Sequence, residues 1–285
     1  MEQLRIAIQK NGRLSEKSLE LLEEAGISFP NGSGNLISQA QDFPLEILFL
    51  RDDDIPEYVQ DAVADIGIVG QNVVVEKGSS LDITEKLGFA RCRLSLAIPR
   101  DHVYNGRGYF NGKKIATSFP NILREYLSSH NITAGIHEIS GSVEIATGIG
   151  LADAIFDIVS TGSTLVSNGL KEVETVLFSE AVLVANKNLA PDKRATLDKL
   201  LFRIRAVKKS RNNKYILLNA PNESISRIIS IIPGMKSPTI MPLAMEGWSS
   251  VHSVLNENDF WTVIDRLKEL GAQGILVIPI EKMII

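Results

Sequence analysis

The sequence predicts an α/β protein, with two related α/β lobes followed by a smaller βαββαβ module. Three observations carry that expectation. Apolar segments of strand length alternate with stretches of helical spacing, the pattern of mainly parallel sheets. A strand-turn-helix vocabulary near the N-terminus returns in the second third of the chain. At 285 residues the chain also exceeds a usual single domain and has ample apolar content for more than one core.

Leu4 to Ile8 alternates as a strand, "NGR" turns, and "LSEKSLELLEEAGI" has helical spacing, with Ser15 expected as N-cap and Gly26 as C-terminal stop. Lys113 to Ile132, "KKIATSFPNILREYLSSHNI", repeats that order: strand, Pro-containing turn, and a helix ending before Asn131. Next, "LEILFLRDDDIPEYVQDAVADIGIVGQNVV" pairs with "GIHEISGSVEIATGIGLADAIFDIVSTGSTLV", setting Asp65 against Asp157 and Gly70 against Gly162. Self-similarity on this scale predicts paired lobes. Ligands of such sheets bind beyond the carboxyl ends of the strands, hence in the cleft between the lobes.

"CRLSLAIPRD" and "EAVLVANKNL" are apolar strands flanking the second lobe, expected to carry the chain out and back as hinges. Lobe I then comprises residues 1–91 and 180–208, completed by the helix-like "PDKRATLDKLLFRIRAV", and lobe II residues 92–179. "KKSRNNK" reads as a charged linker. From 212 to 285 the order is strand "YILLNAP", helix "ESISRIISII", strands "SPTIMPLA" and "WSSVHSVLN", helix "DFWTVIDRLKELG" and strand "GILVIPI". This is the ferredoxin-like order, shared by small ACT-like regulatory domains that bind ligands.

Thirty basic against 34 acidic residues give a formal charge of −4 with no dense Lys/Arg run, which argues against a nucleic-acid surface. An anionic small molecule held by local basic residues remains compatible with it. "MEQLRIAIQK" has none of the parts of a signal peptide, and no apolar run reaches the length of a membrane span. The single cysteine, Cys92, reads as a buried thiol in an apolar strand. His102, His130, His137 and His252 are too scattered for zinc-ligand spacing. A cytoplasmic setting is expected.

The chemistry is expected in "DIVSTGSTL", where a buried strand from Ala154 to Val159 ends at Ser160 and a helix begins near Ser163 or Thr164. Such a turn points backbone N–H groups outward at the positive end of a helix dipole, and Gly162 lets the backbone approach its guest. Hydroxyls of Ser160, Thr161, Ser163 and Thr164 add donors. Asp157 repels phosphate but accepts hydrogen bonds from ribose hydroxyls, so the pair suggests a ribose 5-phosphate. The alternative is a capped helix beside a solvated strand end, since capping is what Ser and Thr commonly do. Asp153 is expected to close the preceding turn. Lys10, Arg13 and Arg51 follow strand ends where a polyanion would bind, with a surface salt bridge as the alternative for each. Arg93 lies within a strand. Of Asp52, Asp53 and Asp54 before Pro56, at least one is expected to cap the following helix and another to meet a ribose hydroxyl or a metal shell.

The stretches "RIAIQKNGRLSEKS", "RDDDIPEYV", "DIGIVGQNV", "CRLSLAIP", "KKIATSFP", "SGSVEIA", "GLADAIFDIVSTGSTLVSNGL" and "SPTIMPL", in this order across the whole chain, resemble the ATP phosphoribosyltransferase family in its long form. The resemblance implies a two-lobed, periplasmic-binding-protein-like catalytic core with a C-terminal regulatory domain. It also implies condensation of ATP with 5-phosphoribosyl 1-diphosphate (PRPP), with the help of Mg²⁺, at the opening of histidine biosynthesis. By the same resemblance the "STGST" turn holds the 5-phosphate, Asp157 and Glu144 face the PRPP ribose, and Lys10, Arg13, Arg51 and Asp53 serve ATP or phosphate. Attack by adenine N1 on the anomeric carbon, with diphosphate leaving, needs no protein nucleophile. Mg²⁺ is expected to be carried largely by substrate phosphates, and no metal ligand is named. In the family the third domain binds L-histidine as feedback inhibitor; Asn219, Ser237, Thr239 and Leu243 carry over, with Thr239 equally readable as an edge-strand hydroxyl. The resemblance further implies a homo-oligomer, a hexamer with dimeric states also found in the group, and no separate regulatory subunit. A cytoplasmic anion-clamping sensor, or an amino-acid-binding regulator in which only the tail acts, would share much of this anatomy.

Overall fold

The computed structural model describes residues 3–29 and 36–284. Met1 and Glu2, with which the N-terminal reading began, and Ile285 lie outside them. Among the described residues no helix is long and apolar enough to cross a membrane.

The chain opens with β1 (Leu4–Gln9), whose Leu4, Ile6, Ala7 and Ile8 are all fully buried, as expected of a parallel strand covered on both faces. It continues through α1 (Arg13–Glu24), β2 (Ile37–Gln39), β3 (Leu45–Leu50), α2 (Ile55–Gln60), β4 (Ile66–Gly70), α3 (Gln71–Lys77) and β5 (Asp82–Lys86). A second set follows: β6 (Cys92–Pro99), β7 (Lys114–Thr117), α4 (Pro120–Ser129), β8 (Gly135–Glu138), β9 (Ala154–Val159), α5 (Ser163–Ser167) and β10 (Leu170–Ser179). β11 (Ala181–Ala185) and α6 (Pro191–Arg211) come next.

β11 pairs with β4 and β5 and so returns to the first sheet, giving the order β2-β3-β1-β4-β11-β5. The second sheet is β10-β6-β9-β7-β8. Read backwards, the second sheet matches the first without β2. In each, three parallel strands are followed by one that runs opposite to them, β11 in the first and β6 in the second, and then by an edge strand antiparallel to that one; β11 joins its sheet from beyond the whole second sheet, whereas β6 is contiguous with its own. The repeat expected from the sequence is therefore present.

Its register differs from the sequence reading. Asp65, just before β4, accepts a hydrogen bond from the Arg5 amide of β1 at 2.8 Å; Asp153, just before β9, accepts one from the Lys114 amide of β7, also at 2.8 Å. The structural counterpart of Asp65 is Asp153, and Asp157 occupies the place that Val69 takes in β4. Asp153 thus ties two strand ends together instead of closing a turn. The similar strings "DIGIVG" and "DIVSTG" misled because apolar residues and glycine surround an Asp in both.

Three further local expectations are corrected. Ser15 is not an N-cap: α1 starts at Arg13, after Gly12 in the left-handed region (φ 95°), with the Glu16 amide on the Gly12 carbonyl. Asp54 has helical backbone angles (φ −87°, ψ −23°) at the end of a 3-10 turn formed by Asp52–Asp54. Its side chain does not cap α2, and no side chain caps the 3-10 turn. "KKSRNNK" is no linker, because α6 runs to Arg211: Val207 and Ser210 remain buried, and the Ser210 hydroxyl donates to the Val207 and Glu281 carbonyls.

The remaining elements are β12 (Asn213–Pro221), α7 (Ile225–Ile231), β13 (Thr239–Pro242), β14 (Trp248–Asn256), α8 (Glu257–Glu269) and β15 (Gln273–Pro279). Their sheet order, β13-β14-β12-β15, is that of a ferredoxin-like fold. Ile216, Leu218, Ala220 and Val251 cluster with Ile228, Phe260 and Leu267 of the two helices. By contact density the chain forms two compact units that part at Glu20/Leu21, Gly26/Ile27 and Leu197/Asp198, with both larger sheets in one unit and the four-stranded sheet in the other.

Close packing of β4 against α2 makes a testable point. A Cβ on Gly67 would sit 2.7 Å from Ile55 Cγ2 and 3.1 Å from Val59 Cγ2, both fully buried. Gly67→Ala is expected to cost about 1–3 kcal/mol through overpacking, read as a drop of several degrees in melting temperature.

Candidate functional site

β9 leaves the core of the second sheet. Ala154, Ile155 and Phe156 are fully buried and Val159 nearly so, whereas Ser160, Thr161, Ser163 and Thr164 are exposed. The bend between strand and helix is made at Gly162, whose φ of +83° is strained for any residue with a Cβ. α5 starts at once, so its first amides have no partner within the helix and face out of the bend. Thr161 Oγ1 and Ser163 Oγ lie 2.9 Å apart, holding two of the hydroxyls side by side. The bend borders a cavity of about 400 Å³ lined also by Arg93, Arg100, Lys171 and Glu172, so its surroundings are net positive. Arg93 is not a free cation: it is paired with Glu172, which it holds well below the usual carboxylate range, and its Nη1 donates to the Ser160 carbonyl at 3.2 Å.

Asp157 is half-buried on the same strand, opposite Ser95 of β6. Burial pushes its carboxyl up to about 6; the hydrogen bond from the Ile158 amide at 2.8 Å pulls the other way, and the charge of Glu144 adds to the rise. The structure thus brings Glu144 and Asp157 within electrostatic reach of each other. Glu144 belongs to a 3-10 turn, Val143–Ile145, that follows Ser142 in the left-handed region (φ 50°). A fold that needed only packing would place an apolar side chain at 157, as it does with Val69.

On the first sheet the Lys10 amide donates to the Leu50 carbonyl at 2.7 Å, which brings Lys10 beside Arg51 at the carboxyl ends of β1 and β3; Arg13 starts α1 after the same turn. All three are exposed. Asp52 and Asp53 line a second cavity, of about 640 Å³, together with Glu76, Lys77, Ser118, Asn121, Arg124 and Ser140. Its walls come from both sheets, so it is part of the cleft expected between lobes. Burial raises the Asp52 carboxyl, and the neighbouring charge of Asp53 adds to it. No group of three or more metal-ligating side chains occurs among the described residues, but the paired carboxylates of Asp52 and Asp53 are donors of the kind that Mg²⁺ accepts in ones and twos.

In the four-stranded sheet, Thr239 of edge strand β13 stands opposite His252, and Asn219 of β12 stands opposite Ser250. These positions are an even number of residues apart, so Thr239 and Asn219 share one face, the one turned away from α7 and α8. His252 shares it, with Nδ1 2.7 Å from Tyr215 Oη and Nε2 3.1 Å from Ser250 Oγ. Ser237 lies before β13, its hydroxyl donating to the Pro238 carbonyl at 3.3 Å, and Leu243 lies after it, its amide on the Trp248 carbonyl at 3.0 Å.

Comparison with known proteins decides the family. A profile described as ATP phosphoribosyltransferase matches residues 51–206, and one described as the HisG C-terminal domain matches 210–282. The ATP phosphoribosyltransferase of Cytophaga hutchinsonii is 60% identical over 281 residues, 99% of this chain and 98% of its own length. The chain belongs to the ATP phosphoribosyltransferase family. It is a pentosyltransferase that catalyses the first step of histidine biosynthesis. The ATP phosphoribosyltransferase of Bacteroides fragilis is 58% identical over 282 residues, 99% of this chain and 100% of its own. A Thermotoga maritima chain, solved as an ATP phosphoribosyl transferase HisG:HisZ complex, superposes with a TM-score of 0.62 at 32% identity, over 71% of this chain and 97% of that one. An ancestral amino-acid-binding protein, AncCDT-1, superposes at 0.50 and 14% identity over 73% of this chain and 90% of its own, which bears on the fold alone. The catalytic core is periplasmic-binding-protein-like, as the family resemblance implied.

Glu76, Lys77, Asn121 and Arg124 escaped the sequence reading although they line the larger cavity. One signal existed: Glu76 stands in the last turn of α3, where the helix dipole disfavours an acid.

The raised carboxyl of Asp157 sets a pH dependence. Between its ordinary value and about 6 the folded protein keeps a proton that the unfolded chain has lost, so stability contributed here falls as pH rises through that window and levels off above it. Asp157→Asn is expected to melt with the parent near pH 4 and on the order of 2–4 °C above it at pH 7–8, followed by scanning calorimetry across the range.

Proposed function

We propose that the bend from Ser160 to Thr164 holds the 5-phosphate of PRPP through its backbone amides and hydroxyls, with Gly162 allowing the close approach. Asp157 and Glu144 accept hydrogen bonds from the ribose hydroxyls. What carries this reading is Asp157 itself: a desolvated carboxylate beside a left-handed glycine bend, at a position where the related strand of the first sheet has a buried valine. The desolvation that destabilises the free carboxylate strengthens its bonds to ribose hydroxyls once those hydroxyls replace water.

Lys10, Arg13 and Arg51 then meet the phosphates of ATP or the departing diphosphate, and Asp53 a ribose hydroxyl or a metal-bound water. N1 of the adenine attacks the anomeric carbon as diphosphate leaves, giving N1-(5-phospho-β-D-ribosyl)-ATP. These side chains position the substrates and offset the charge that develops. Mg²⁺, held mainly by substrate phosphates with Asp52 or Asp53 as protein ligand, would supply charge neutralisation on the leaving diphosphate.

Lobe I is assigned to residues 1–91 and 180–208, lobe II to 92–179, and the regulatory domain to 212–285. L-Histidine is taken up on the sheet face that carries Asn219 and Thr239, flanked by Ser237 and Leu243, and inhibits the transferase. The HisG:HisZ chain of Thermotoga maritima is matched over nearly all its length while part of this chain is left over, and the C-terminal profile ends this chain. That supports regulation in cis, in a cytoplasmic homo-oligomer, a hexamer or its dimer, without a separate regulatory subunit.

Incubation with ATP, PRPP and Mg²⁺ is expected to yield the ultraviolet absorbance of the adduct and to be slowed by added L-histidine. Absence of adduct after prolonged incubation contradicts the reading. Gly162→Val is expected to raise KM for PRPP at least tenfold, with Thr161→Ala milder, while calorimetric titration with histidine is unchanged. An unaltered KM for PRPP in Gly162→Val overturns the phosphate assignment.

A further inference from the structure

α4 begins at Pro120 with no side chain of its own lobe as cap, yet its first free amides are not bare. The carboxylate of Glu76, at the end of α3, accepts from the Asn121 amide at 2.8 Å and from the Ile122 amide at 3.0 Å, one oxygen each; the Glu76 carbonyl accepts from Asn121 Nδ2 at 3.0 Å. α3 follows a strand of the first sheet and α4 a strand of the second, so all three bonds cross from one lobe to the other. They also pair the negative end of one helix dipole, sharpened by an acid, with the positive end of another.

The opposite end of α3 is tied to the second sheet as well. Asn72, buried, receives the Ser179 hydroxyl on Oδ1 at 2.8 Å, and its amide donates to the same Ser179 Oγ at 3.0 Å. Ser179 is the last residue of β10, one residue before the chain crosses back as β11. Gly70 makes room for this: a Cβ there would lie 2.5 Å from Asn72 Oδ1. α3 is therefore pinned at a pivot beside the crossing and, one helical turn later, at the lip of the cleft. The residues at the lip, Glu76 and Asn121, line the 640 Å³ cavity.

We propose that Glu76 is a positioning residue, a latch that holds the two lobes closed around the cleft before substrate arrives. Without the latch the free protein spends more time open, and substrate binding must close it. Apparent affinity falls by the closed fraction, whereas turnover at saturation, where substrates hold the lobes together, is retained. The kinetic part of this inference rests on the reading of the cleft as the substrate site; the conformational part does not.

The test uses the full chain in a Cys92→Ala background with spin labels at Val63→Cys and Val103→Cys, exposed positions on the two lobes. In Glu76→Gln the interlobe distance distribution is expected to shift to longer values, and KM for PRPP to rise about fivefold or more with kcat within about twofold. Asn121→Asp, added to Glu76→Gln, returns a negative charge to the start of α4 from its own lobe. It is expected to restore melting temperature but neither the distances nor KM. Recovery of all three by the double variant makes Glu76 a helix cap only and overturns the latch, as does a distance distribution in Glu76→Gln that matches the parent. A lengthened distance with unchanged KM upholds the latch and instead overturns the reading of this cleft as the substrate site.

Discussion

Two aspartates hold the architecture in register. Asp65 and Asp153 stand just before the central strands β4 and β9, and each accepts an amide hydrogen from the start of the neighbouring parallel strand, from Arg5 and Lys114. Parallel strands cannot be aligned by a tight hairpin, so their ends need another reference. Asp65 is further braced by Lys193 Nζ at 3.0 Å, which compensates a carboxylate that is only 6% exposed. With the amino ends levelled in this way, the carboxyl ends of β1, β3 and β4, and of β7 and β8, come out close to level, and β9 runs three residues beyond Phe156, the partner of Thr117. The loops that carry Lys10, Arg51, Glu144 and Ser160 to Thr164 are thereby gathered at the ends of their sheets.

Against that common frame the two lobes differ where chemistry is expected. The same strand position is a buried valine in one and a half-buried carboxyl, raised by its burial, in the other. The frame tolerates the carboxyl because Asp157 lies near the strand end, where it accepts its neighbour's amide, and because Ile155 and Val159 on either side of it along the strand supply the core. A binding function is the physical reason to keep a group there that the fold alone would discard.

Much of this was legible in the sequence. Strands such as Leu4–Gln9 and Ala154–Val159 announce themselves as apolar runs, and all six elements of the tail follow period and turn residues. The bend at Gly162 was readable because an apolar strand gives way there to Ser, Thr and Gly, the residues of a strand-to-helix turn; its φ of +83° came with the structure. Two of the failures share a cause: the deciding partner is distant in sequence. The repeat was read out of register because bonds to the Arg5 and Lys114 amides, not local similarity, distinguish the paired aspartates. The polar stretch after Val207 looked like a linker, but its Ser210 bonds to the Glu281 carbonyl and keeps the helix going. β2 and β5 passed unread because they are short and lie at or near the sheet's margin, where one face of a strand meets solvent.

The return of β11 to the first sheet has a bearing on biosynthesis. Among the described strands β5 pairs only with β11, and β11 is made after every residue of the second sheet has been added to the growing polypeptide. The first sheet is thus left unfinished on the ribosome, with one margin of β4 open, until residues 181–185 emerge. The second sheet, whose strands lie in one uninterrupted stretch, has no such wait. The protein is built so that the later-made half can complete itself first and the earlier-made half must stand by with an unsatisfied edge, a window in which a chaperone has something to hold.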